Sequence, residues 1–289
     1  ADKIPGDNWY SEQDCIPAVV SPDKELHGIL LLKEQGIEKI SLDKALPVLH
    51  GKNGEDGTVQ GVLELAEIPV IGCNTMSSAI CMDKETAHRL AKECGVNVPR
   101  SYTSRKAEMQ QIEKWGSELG YPLFVKPLRA GSSFGITKVV KPEDLQTAVE
   151  HAFAYDSCVV LEEMIEGFEV GCAVLGTEEL TIGAVDEIEL SEGFFDYTEK
   201  YTLKSSKIHV PARISQEKAK EIQDTAAAIY RGLGCSCFAR VDMFLTPEGS
   251  IYFNEVNTIP GFTSHSRYPN MMKAIGISFE EILSRLLEM

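Results

Sequence analysis

The chain has 289 residues, of which 43% are hydrophobic and 25% charged; this excludes disorder and low-complexity architecture and leaves room for about two domains or three small lobes. Its 28 Lys and Arg against 44 Asp and Glu give a formal net charge of −16, which excludes general binding to nucleic acids and anionic membranes but permits a local basic cleft. The sequence has no apolar run of about 18 residues, no secretion signal at residues 1–10, and no CxxC pair among its eight cysteines, so we expect a cytoplasmic protein with reduced thiols.

Helices and strands are predicted in alternation along the chain. Apolar residues recur at helical spacing, between capping or proline positions, at residues 83–94, 142–153, 215–233 and 278–287. Short β-branched or aromatic runs predict strands at residues 122–126, 136–140, 158–162, 168–175, 238–245 and 251–256. This alternation indicates an α/β protein with α+β lobes. Punctuation by Gly72 and Gly167 divides it into predicted lobes 1–72, 73–166 and 167–289.

Four polar residues near the C-terminus form the sharpest cluster. If residues 247–250 are a hairpin loop, Thr246 pairs with Ile251, and the strand register then sets Asp242 opposite Glu255 and Arg240 opposite Asn257. Because side chains alternate along a strand, these four groups share one face. Two carboxylates and an amide oxygen suit Mg²⁺, whereas a solvated hairpin face is the alternative interpretation.

A glycine- and serine-rich segment follows Lys126 between two predicted strands. Residues 129–136 read RAGSSFGI, whose backbone N–H groups and hydroxyls can wrap around phosphate oxygens beside the Lys126 charge. The segment lacks the Walker A pattern. A plain hairpin turn is the alternative.

Two further segments have the composition of functional loops. Residues 50–57 (HGKNGEDG) form a glycine-rich loop that brings His50 and two carboxylates to its rim, although a lone histidine is often structural. Residues 194–201 (FFDYTEKY) combine aromatic and charged side chains without a helical or strand period. Such a segment is typical of a lid or binding loop, and a surface loop with its aromatics tucked beneath it is the alternative.

Together these segments resemble one family. The ordered motifs HGKNGEDG, KPLRAGSSFG, FDYTEKY and RVDMF followed by NEVNTIPGFTSHS resemble the D-alanine:D-alanine ligases of the ATP-grasp superfamily. Within it, FFDYTEKYTLKSSKI and HSRYPNMMK most resemble the VanG-type D-alanine:D-serine ligases of vancomycin resistance. The resemblance covers the chain from about residue 46 and implies an ATP-grasp fold with a partial Rossmann-like N-terminal substrate lobe, a central ATP-grasp lobe and a C-terminal catalytic lobe.

The sequence departs from the family pattern at two places. Family members begin with a strand and a glycine-rich turn whose glutamate holds the first D-amino acid, and residues 1–29 contain no counterpart of this strand and turn. We therefore expect the first substrate subsite to be incomplete in this sequence. Met164 stands where relatives often place a tryptophan against the adenine.

The resemblance also assigns roles to individual residues, with ATP and two Mg²⁺ ions, or Mn²⁺ in their place, as cofactors. It implies phosphate contacts from Lys84, Lys126, Ser133 and Lys200. It implies a nucleotide pocket lined by Glu162, Ile165 and Glu169, and metal ligation by Asp242, Glu255 and Asn257. The catalytic residues implied are His50, Ser132, Tyr201, Arg240, Gly261 and Ser266. Those implied to set substrate specificity are Asp186, Phe195 and Arg267.

The implied reaction activates D-alanine as an acyl phosphate, which the amine of a second D-amino acid then attacks. Because Arg267 follows the acceptor-binding Ser266, where housekeeping ligases carry an apolar residue, we expect D-serine as the second substrate. The lid motif FDYTEKY resembles that of peptide-forming ligases, so D-lactate should be a poor substrate. The alternatives are a housekeeping D-alanine:D-alanine ligase and, more remotely, a non-catalytic ATP-binding module. We expect a cytoplasmic homodimer with small-molecule substrates.

Overall fold

The computed structural model describes residues 15–131, 134–190, 206–263 and 265–289. Its helices there are α1 (Thr58–Leu65), α2 (Thr75–Met82), α3 (Lys84–Glu93), α4 (Met109–Leu119), α5 (Leu145–Phe153), α6 (Gln216–Gly232), α7 (Arg267–Ala274) and α8 (Phe279–Glu288). The strands are β1 (Ala18–Val20), β2 (Gly28–Lys33), β3 (Gly36–Ser41), β4 (Ser101–Ser104), β5 (Leu123–Pro127), β6 (Thr137–Val139), β7 (Val159–Glu163), β8 (Phe168–Leu175), β9 (Thr181–Leu190), β10 (Ser206–His209), β11 (Phe238–Leu245) and β12 (Ile251–Asn257).

The predicted helices begin where their capping residues indicate. Helices α3, α6 and α8 confirm the predictions, since Asp83, Ser215 and Ser278 accept hydrogen bonds from the backbone N–H groups of Thr86, Lys218 and Glu281 at 2.9, 3.1 and 3.2 Å. The segment that begins at Pro142 is also helical. It opens with a 3₁₀ turn (Pro142–Asp144) before α5.

The described N-terminal residues form an antiparallel sheet in the order β1-β2-β3. Helix α1 buries Leu63 in a small cluster with Ile68, Val20 and other apolar side chains. A Rossmann-like lobe needs parallel pairing, of which this described part contains the single bridge between Ala45 and Val70.

The central sheet has the order β4-β7-β5-β6. Helices α4 and α5 cover it and share one buried cluster with its strands, which includes Ile112 of α4, Val149 of α5 and Leu161 of β7. The opposite side of this sheet is therefore available to line a cleft.

The C-terminal sheet has the order β10-β9-β8-β11-β12. Helix α6 packs on one face together with α2 and α3, so Ala87 of α3 lies in the same cluster as Ile222 of α6 and Val241 of β11. Helices α7 and α8 pack on the other face, through Met271 and other side chains. The lobe boundaries proposed above stay predictions, but α2 and α3 bury their apolar sides against the C-terminal sheet.

The hairpin of β11 and β12 confirms one half of the predicted register and corrects the other. Asp242 lies opposite Glu255 and Arg240 opposite Asn257, as predicted, but Leu245 pairs with Ile251 in place of Thr246. The Thr246 N–H instead donates to the Ser250 carbonyl at 3.0 Å, so the loop begins one residue earlier than predicted, at Thr246. A register shift between Asp242 and Met243 restores the predicted pairing, because β12 contains Asn254 as an extra residue.

No helix within the described residues has the length and apolar character needed to cross a membrane.

Candidate active site

A cleft of about 690 Å³ lies between the central and C-terminal sheets. Both sheets contribute to its walls, and so does the connection from β7 to β8. The sequence-predicted residues that line it are Lys84, Lys126, Glu162, Ile165, Glu169 and Glu255. Met164 lines it as well. The structure thus brings the nucleotide-pocket residues and one metal-ligand candidate into one cavity.

Two lysines enter this cleft from different elements. Lys126 on β5 contacts the buried Glu162 on β7, with 2.5 Å between Nζ and Oε1. Lys84 opens α3, and its ammonium donates to the Ala130 carbonyl at 2.8 Å. Both cations therefore lie beside the glycine-rich segment that begins at residue 129.

Glu162 is a buried carboxylate with spare hydrogen-bonding capacity. Burial opposes its ionisation, but the charges of Lys126 and His88 hold the pKa of this carboxyl below its ordinary value. Among the described residues, none forms a hydrogen bond to its Oε2. A buried acceptor without a partner is costly, so this oxygen suits a donor such as an exocyclic amine of a ligand in the cleft.

The predicted metal face lies at the junction of β11 and β12. The guanidinium of Arg240 forks onto Asp242, with 2.8 Å from Nε to Oδ1 and 2.7 Å from Nη2 to Oδ2. Asn257 also donates its Nδ2 to Asp242 Oδ2 at 2.9 Å. Its Oδ1 is then oriented away from Asp242, where it can act as a ligand.

The described residues contain no group of three or more His, Cys, Asp or Glu side chains arranged to hold a metal ion. The donor set here is instead two carboxylates and an amide, Asp242, Glu255 and Asn257. Glu255 and Asn257 also line a small cavity that reaches Lys84 and Gly131. Hard oxygen donors beside a cleft lined by two lysines fit Mg²⁺, which takes its other ligands from water and phosphate oxygens.

Arg267, the first residue of α7, connects this face to the neighbouring strands. Its Nε and Nη2 donate to Asp186 Oδ2 and Oδ1 at 2.7 and 2.8 Å, and its Nη1 donates to Glu169 Oε1 at 2.7 Å. Its Nη2 also lies 3.5 Å from Asp242 Oδ1. Arg267 and Asp186, 81 residues apart in sequence, are thus in direct contact and buried.

Gly261 and Ser266 meet at the N-terminus of α7. A Cβ atom on Gly261 would lie 2.8 Å from the Ser266 hydroxyl oxygen. Ser266 is the N-cap of α7, yet its hydroxyl makes no capping bond and instead accepts from the Thr263 N–H at 3.0 Å. The helix N-terminus therefore keeps its positive end available for an anion.

Glu55 is a residue that sequence reasoning named only as part of a loop. Its Oε1 accepts from the Gly51 N–H at 2.8 Å and would lie 2.8 Å from a Cβ on Gly131, so the two glycine-rich segments touch. Burial raises the pKa of Glu55 above its ordinary value, against the opposing effect of the Gly51 N–H. His50 on the same loop is exposed. The available sequence signal for Glu55 was a carboxylate placed between the glycines of HGKNGEDG.

Five of the predicted site residues lie outside the described residues: Ser132, Ser133, Phe195, Lys200 and Tyr201. Their roles stay predictions.

Comparison with known proteins supplies the family. Residues 6–73 match the model for the D-ala D-ala ligase N-terminus, and residues 90–288 match the model for its C-terminus. The crystal structure of the VanG D-Ala:D-Ser ligase from Enterococcus faecalis is 57% identical, with a TM-score of 0.90 over 99% of this chain and 83% of that one.

Curated relatives agree. The vancomycin B-type resistance protein VanB of Enterococcus faecalis is 48% identical over 99% of this chain and 82% of its own length. A D-alanine–D-alanine ligase of Caldicellulosiruptor bescii is 42% identical over 96% and 78%. The cleft with its two lysines, the carboxylate face and these matches lead to one conclusion: the chain belongs to the D-alanine–D-alanine ligase family and is an ATP-dependent ligase with an ATP-grasp fold.

Proposed function

We propose that this ligase joins D-alanine to D-serine in the cytoplasm and so supplies the altered peptidoglycan precursor that vancomycin resistance requires. The observation that carries the proposal is the buried pair of Arg267 and Asp186. The likeness to a protein named VanG D-Ala:D-Ser ligase supports it.

ATP is held in the cleft between the sheets. Lys84 and Lys126 provide positive charge for the phosphates, and residues 129–131 begin the segment whose N–H groups would wrap around them. Glu162 Oε2, which has no partner among the described residues, would accept a hydrogen bond from the adenine, while Ile165 and Glu169 would contact the base and the ribose. Adenosine and phosphates thus meet groups of matching polarity.

Asp242, Glu255 and Asn257 would hold the Mg²⁺ ions. When bound, these ions neutralise charge on the transferred phosphoryl group. Arg240 keeps the Asp242 carboxylate in one orientation through its two hydrogen bonds, so the ligand is preorganised. Mn²⁺ takes the same oxygen donors.

In the first half-reaction the D-alanine carboxylate attacks the γ-phosphorus of ATP, which gives an acyl phosphate and ADP. In the second half-reaction the amine of D-serine attacks the acyl carbon, and phosphate leaves. A tetrahedral oxyanion develops in that step, and Arg240 with the Gly261 N–H would stabilise it. His50 and Tyr201 would orient the reacting groups, and the segment 194–201 would exclude water.

The carboxylate of the second substrate would bind at the N-terminus of α7. Ser266 at the N-cap and the backbone N–H groups of Arg267 and Tyr268 offer donors, and the helix dipole is favourable; Pro269, the third residue of the turn, has no N–H. The first side chain after this anchor is Arg267. A D-amino acid held there by its carboxylate therefore has its side chain close to the Arg267 and Asp186 pair.

A pocket built for a hydroxyl discriminates against a substrate that lacks one. Hydrogen bonds to described residues use three of the five N–H groups of the Arg267 guanidinium, which leaves two for a ligand or for the rest of the chain. D-Alanine would leave such buried groups without a partner, and that penalty exceeds the gain from one methyl-sized contact.

A competition assay tests the proposal. The enzyme receives ATP, Mg²⁺, D-alanine as first substrate, and equal D-serine and D-alanine as acceptors at pH 7, with D-lactate in a parallel reaction. The products are separated by chromatography and the amount of each is measured. We expect mainly D-Ala-D-Ser and little D-Ala-D-lactate. A product that is mostly D-Ala-D-Ala would restore the housekeeping interpretation, and a dominant depsipeptide would identify a D-lactate ligase.

A double variant tests whether the preference for D-serine depends on Arg267 and Asp186. Replacing Arg267 by Leu and Asp186 by Asn together removes both charges, because removing one alone would leave the other buried and uncompensated. We expect the D-Ala-D-Ser share to fall by about tenfold or more, the equivalent of one hydrogen bond. Lys273→Leu, on the exposed last turn of α7, is the matched control and should keep the wild-type ratio.

A further inference from the structure

Gly171 occupies the centre of β8 in a row of acidic residues. It pairs with Asp186 on β9 on one side and with Asp242 on β11 on the other. Directly opposed residues in an antiparallel sheet project their side chains to the same face, so a side chain at 171 would stand between these two carboxylates. The guanidinium of Arg267 occupies that position.

The space over Gly171 is already filled by polar atoms. A Cβ atom there would lie 2.4 Å from Arg267 Nη2, 2.7 Å from Asp186 Oδ1 and 2.9 Å from Asp242 Oδ1. Its φ is outside the left-handed region, so glycine is not needed for the backbone conformation. Glycine is therefore required at position 171 because the side chains of Arg267, Asp186 and Asp242 leave no room for a Cβ atom.

These neighbours have little freedom to move away. Arg267 is held by Asp186 and Glu169, and Asp242 by Arg240. Gly171 itself donates its N–H to Asp186 Oδ1 at 2.8 Å, which ties the carboxylate to the same residue. Ordinary contact needs about 3.5 Å, so a methyl group would displace Nη2 by about 1 Å.

We propose that Gly171 is a positioning residue for acceptor specificity, because the absence of a side chain creates the seat in which Arg267 lies against Asp186 and beside Asp242. The inference rests on the proposed function, in which Arg267 distinguishes the second substrate. Gly171 acts through Arg267 and does not itself contact the substrate side chain.

The test is Gly171→Ala in the competition assay between D-serine and D-alanine. The product ratio comes from one enzyme in one reaction, so any change in ATP or metal binding cancels. We expect the ratio of D-Ala-D-Ser to D-Ala-D-Ala to fall at least about tenfold, since a 1 Å displacement breaks the geometry of the hydroxyl contact.

Gly183→Ala is the matched control. Gly183 lies on the adjacent strand β9, and its added Cβ would meet Ala173 Cβ at 3.0 Å and Met272 Sδ at 3.1 Å, away from the guanidinium. It overpacks the same sheet without touching Arg267. We expect it to lose thermal stability and to keep the wild-type product ratio.

The mechanism is tested in the background Arg267→Leu with Asp186→Asn. There, Gly171→Ala should change the product ratio by less than about twofold, because the group it displaces is gone. A retained ratio in Gly171→Ala alone, or an equal fall in both backgrounds, would overturn the proposal.

A second readout separates this inference from the proposed function. In urea unfolding, the loss of stability caused by Gly171→Ala should be at least halved in the same background. If the wild-type enzyme proves not to prefer D-serine, the proposed function fails; the stability coupling then still decides whether Gly171 seats Arg267. If Gly171→Ala loses the same stability in both backgrounds, the contact between position 171 and Arg267 is refuted as well.

Discussion

At the scale of single residues, Arg240 and Asp242 share one fork of hydrogen bonds on the predicted metal face. Arg240 Nε and Nη2 occupy both oxygens of Asp242, at 2.8 and 2.7 Å. Three N–H groups of the guanidinium point elsewhere. The residue can therefore orient a metal ligand and still present donors to an oxyanion, so the two roles do not exclude each other.

Replacing Arg240 by Met should lower kcat by about 10² to 10³, because a donor aimed at the developing oxyanion is lost. The apparent Mg²⁺ requirement should rise as well, since Asp242 loses its orienting partner. The measurement is steady-state kinetics with varied ATP at several Mg²⁺ concentrations. Arg240→Lys, which keeps the charge and loses the fork, is the control and should be intermediate. A raised KM for ATP with unchanged kcat would instead move Arg240 into the nucleotide site.

At the scale of elements, the bulge in β12 decides where Glu255 points. Asn254 is the extra residue, and its carbonyl lies 2.9 Å from the Nε2 of the buried His88 on α3. The bulge carbonyl thus has a partner from another element. His88 in this way supports the alignment of Glu255 with Asp242.

Replacing His88 by Phe should destabilise the fold by about 1 to 3 kcal/mol, because the Asn254 carbonyl is left without its donor. The alignment of β12 should loosen at the same point, so we expect the Mg²⁺ concentration for half-maximal activity to rise more than KM for ATP. Urea unfolding and a Mg²⁺ titration measure the two effects. His88→Gln can still donate to the carbonyl and should recover part of both. A stability loss with an unchanged Mg²⁺ titration would show that the bond supports the core alone.

Elements with a regular period could be predicted from the sequence, and their exceptions could not. Strands β8 and β11 have the predicted bounds, because unbroken apolar and β-branched runs define them. The bulge at Asn254 interrupts the alternation of β12, where Asn254 and Glu255 are both half-buried. Pairs counted from the loop assume that every residue has a partner, so the loop end of the hairpin was placed one residue off. Strand β3 is exposed throughout and carries no burial pattern to read.

The candidate site could be predicted where its residues are neighbours in one hairpin, as Arg240, Asp242, Glu255 and Asn257 are. The contact of Arg267 with Asp186 spans 81 residues, and no spacing rule reaches that far. Gly171 did leave a signal, since an isolated glycine inside a strand marks the close approach of another group. Identifying that group required the fold.

At the scale of the whole molecule, a net charge of −16 coexists with a cleft that, in the proposed function, holds a polyanion. Acidic side chains at the cleft mouth are locally neutralised. Glu187, which is buried, accepts from the Arg213 guanidinium at 2.6 Å, and Glu189 contacts Arg213 and His209. The hydrogen bond from Arg213 lowers the pKa of Glu187 below its ordinary value, against the opposing effect of burial.

This pair predicts a pH dependence of stability. A lowered pKa in the folded state stabilises the protein above the ordinary glutamate pKa of about 4.5, and the contribution is lost as pH falls through the folded value. Glu187→Gln should therefore lower Tm at pH 7, and the gap to wild type should close below pH 4.5. Because Arg213 is 51% exposed, the effect should be at most about 1 kcal/mol. Thermal melts of both proteins across pH measure it, with Glu217→Gln on the exposed first turn of α6 as control. A gap that is constant with pH would contradict the linkage.

The row of Asp186, Gly171 and Asp242 also constrains the order in which this site can have arisen by single substitutions. If Arg267 is acquired before Asp186, its buried guanidinium lacks one of its acceptors. If Asp186 is acquired first, its buried carboxylate lacks the guanidinium that compensates its charge. A larger residue at 171 would block either path. Of the changes to Gly171, Asp186 and Arg267, only the change to glycine introduces no buried charge. A lineage that already carries Gly171 can therefore acquire Asp186 and Arg267 without a steric clash. Ancestral sequences of this family should then contain Gly171 before they contain Arg267, and reversion of Arg267 alone should be rarer than joint loss with Asp186.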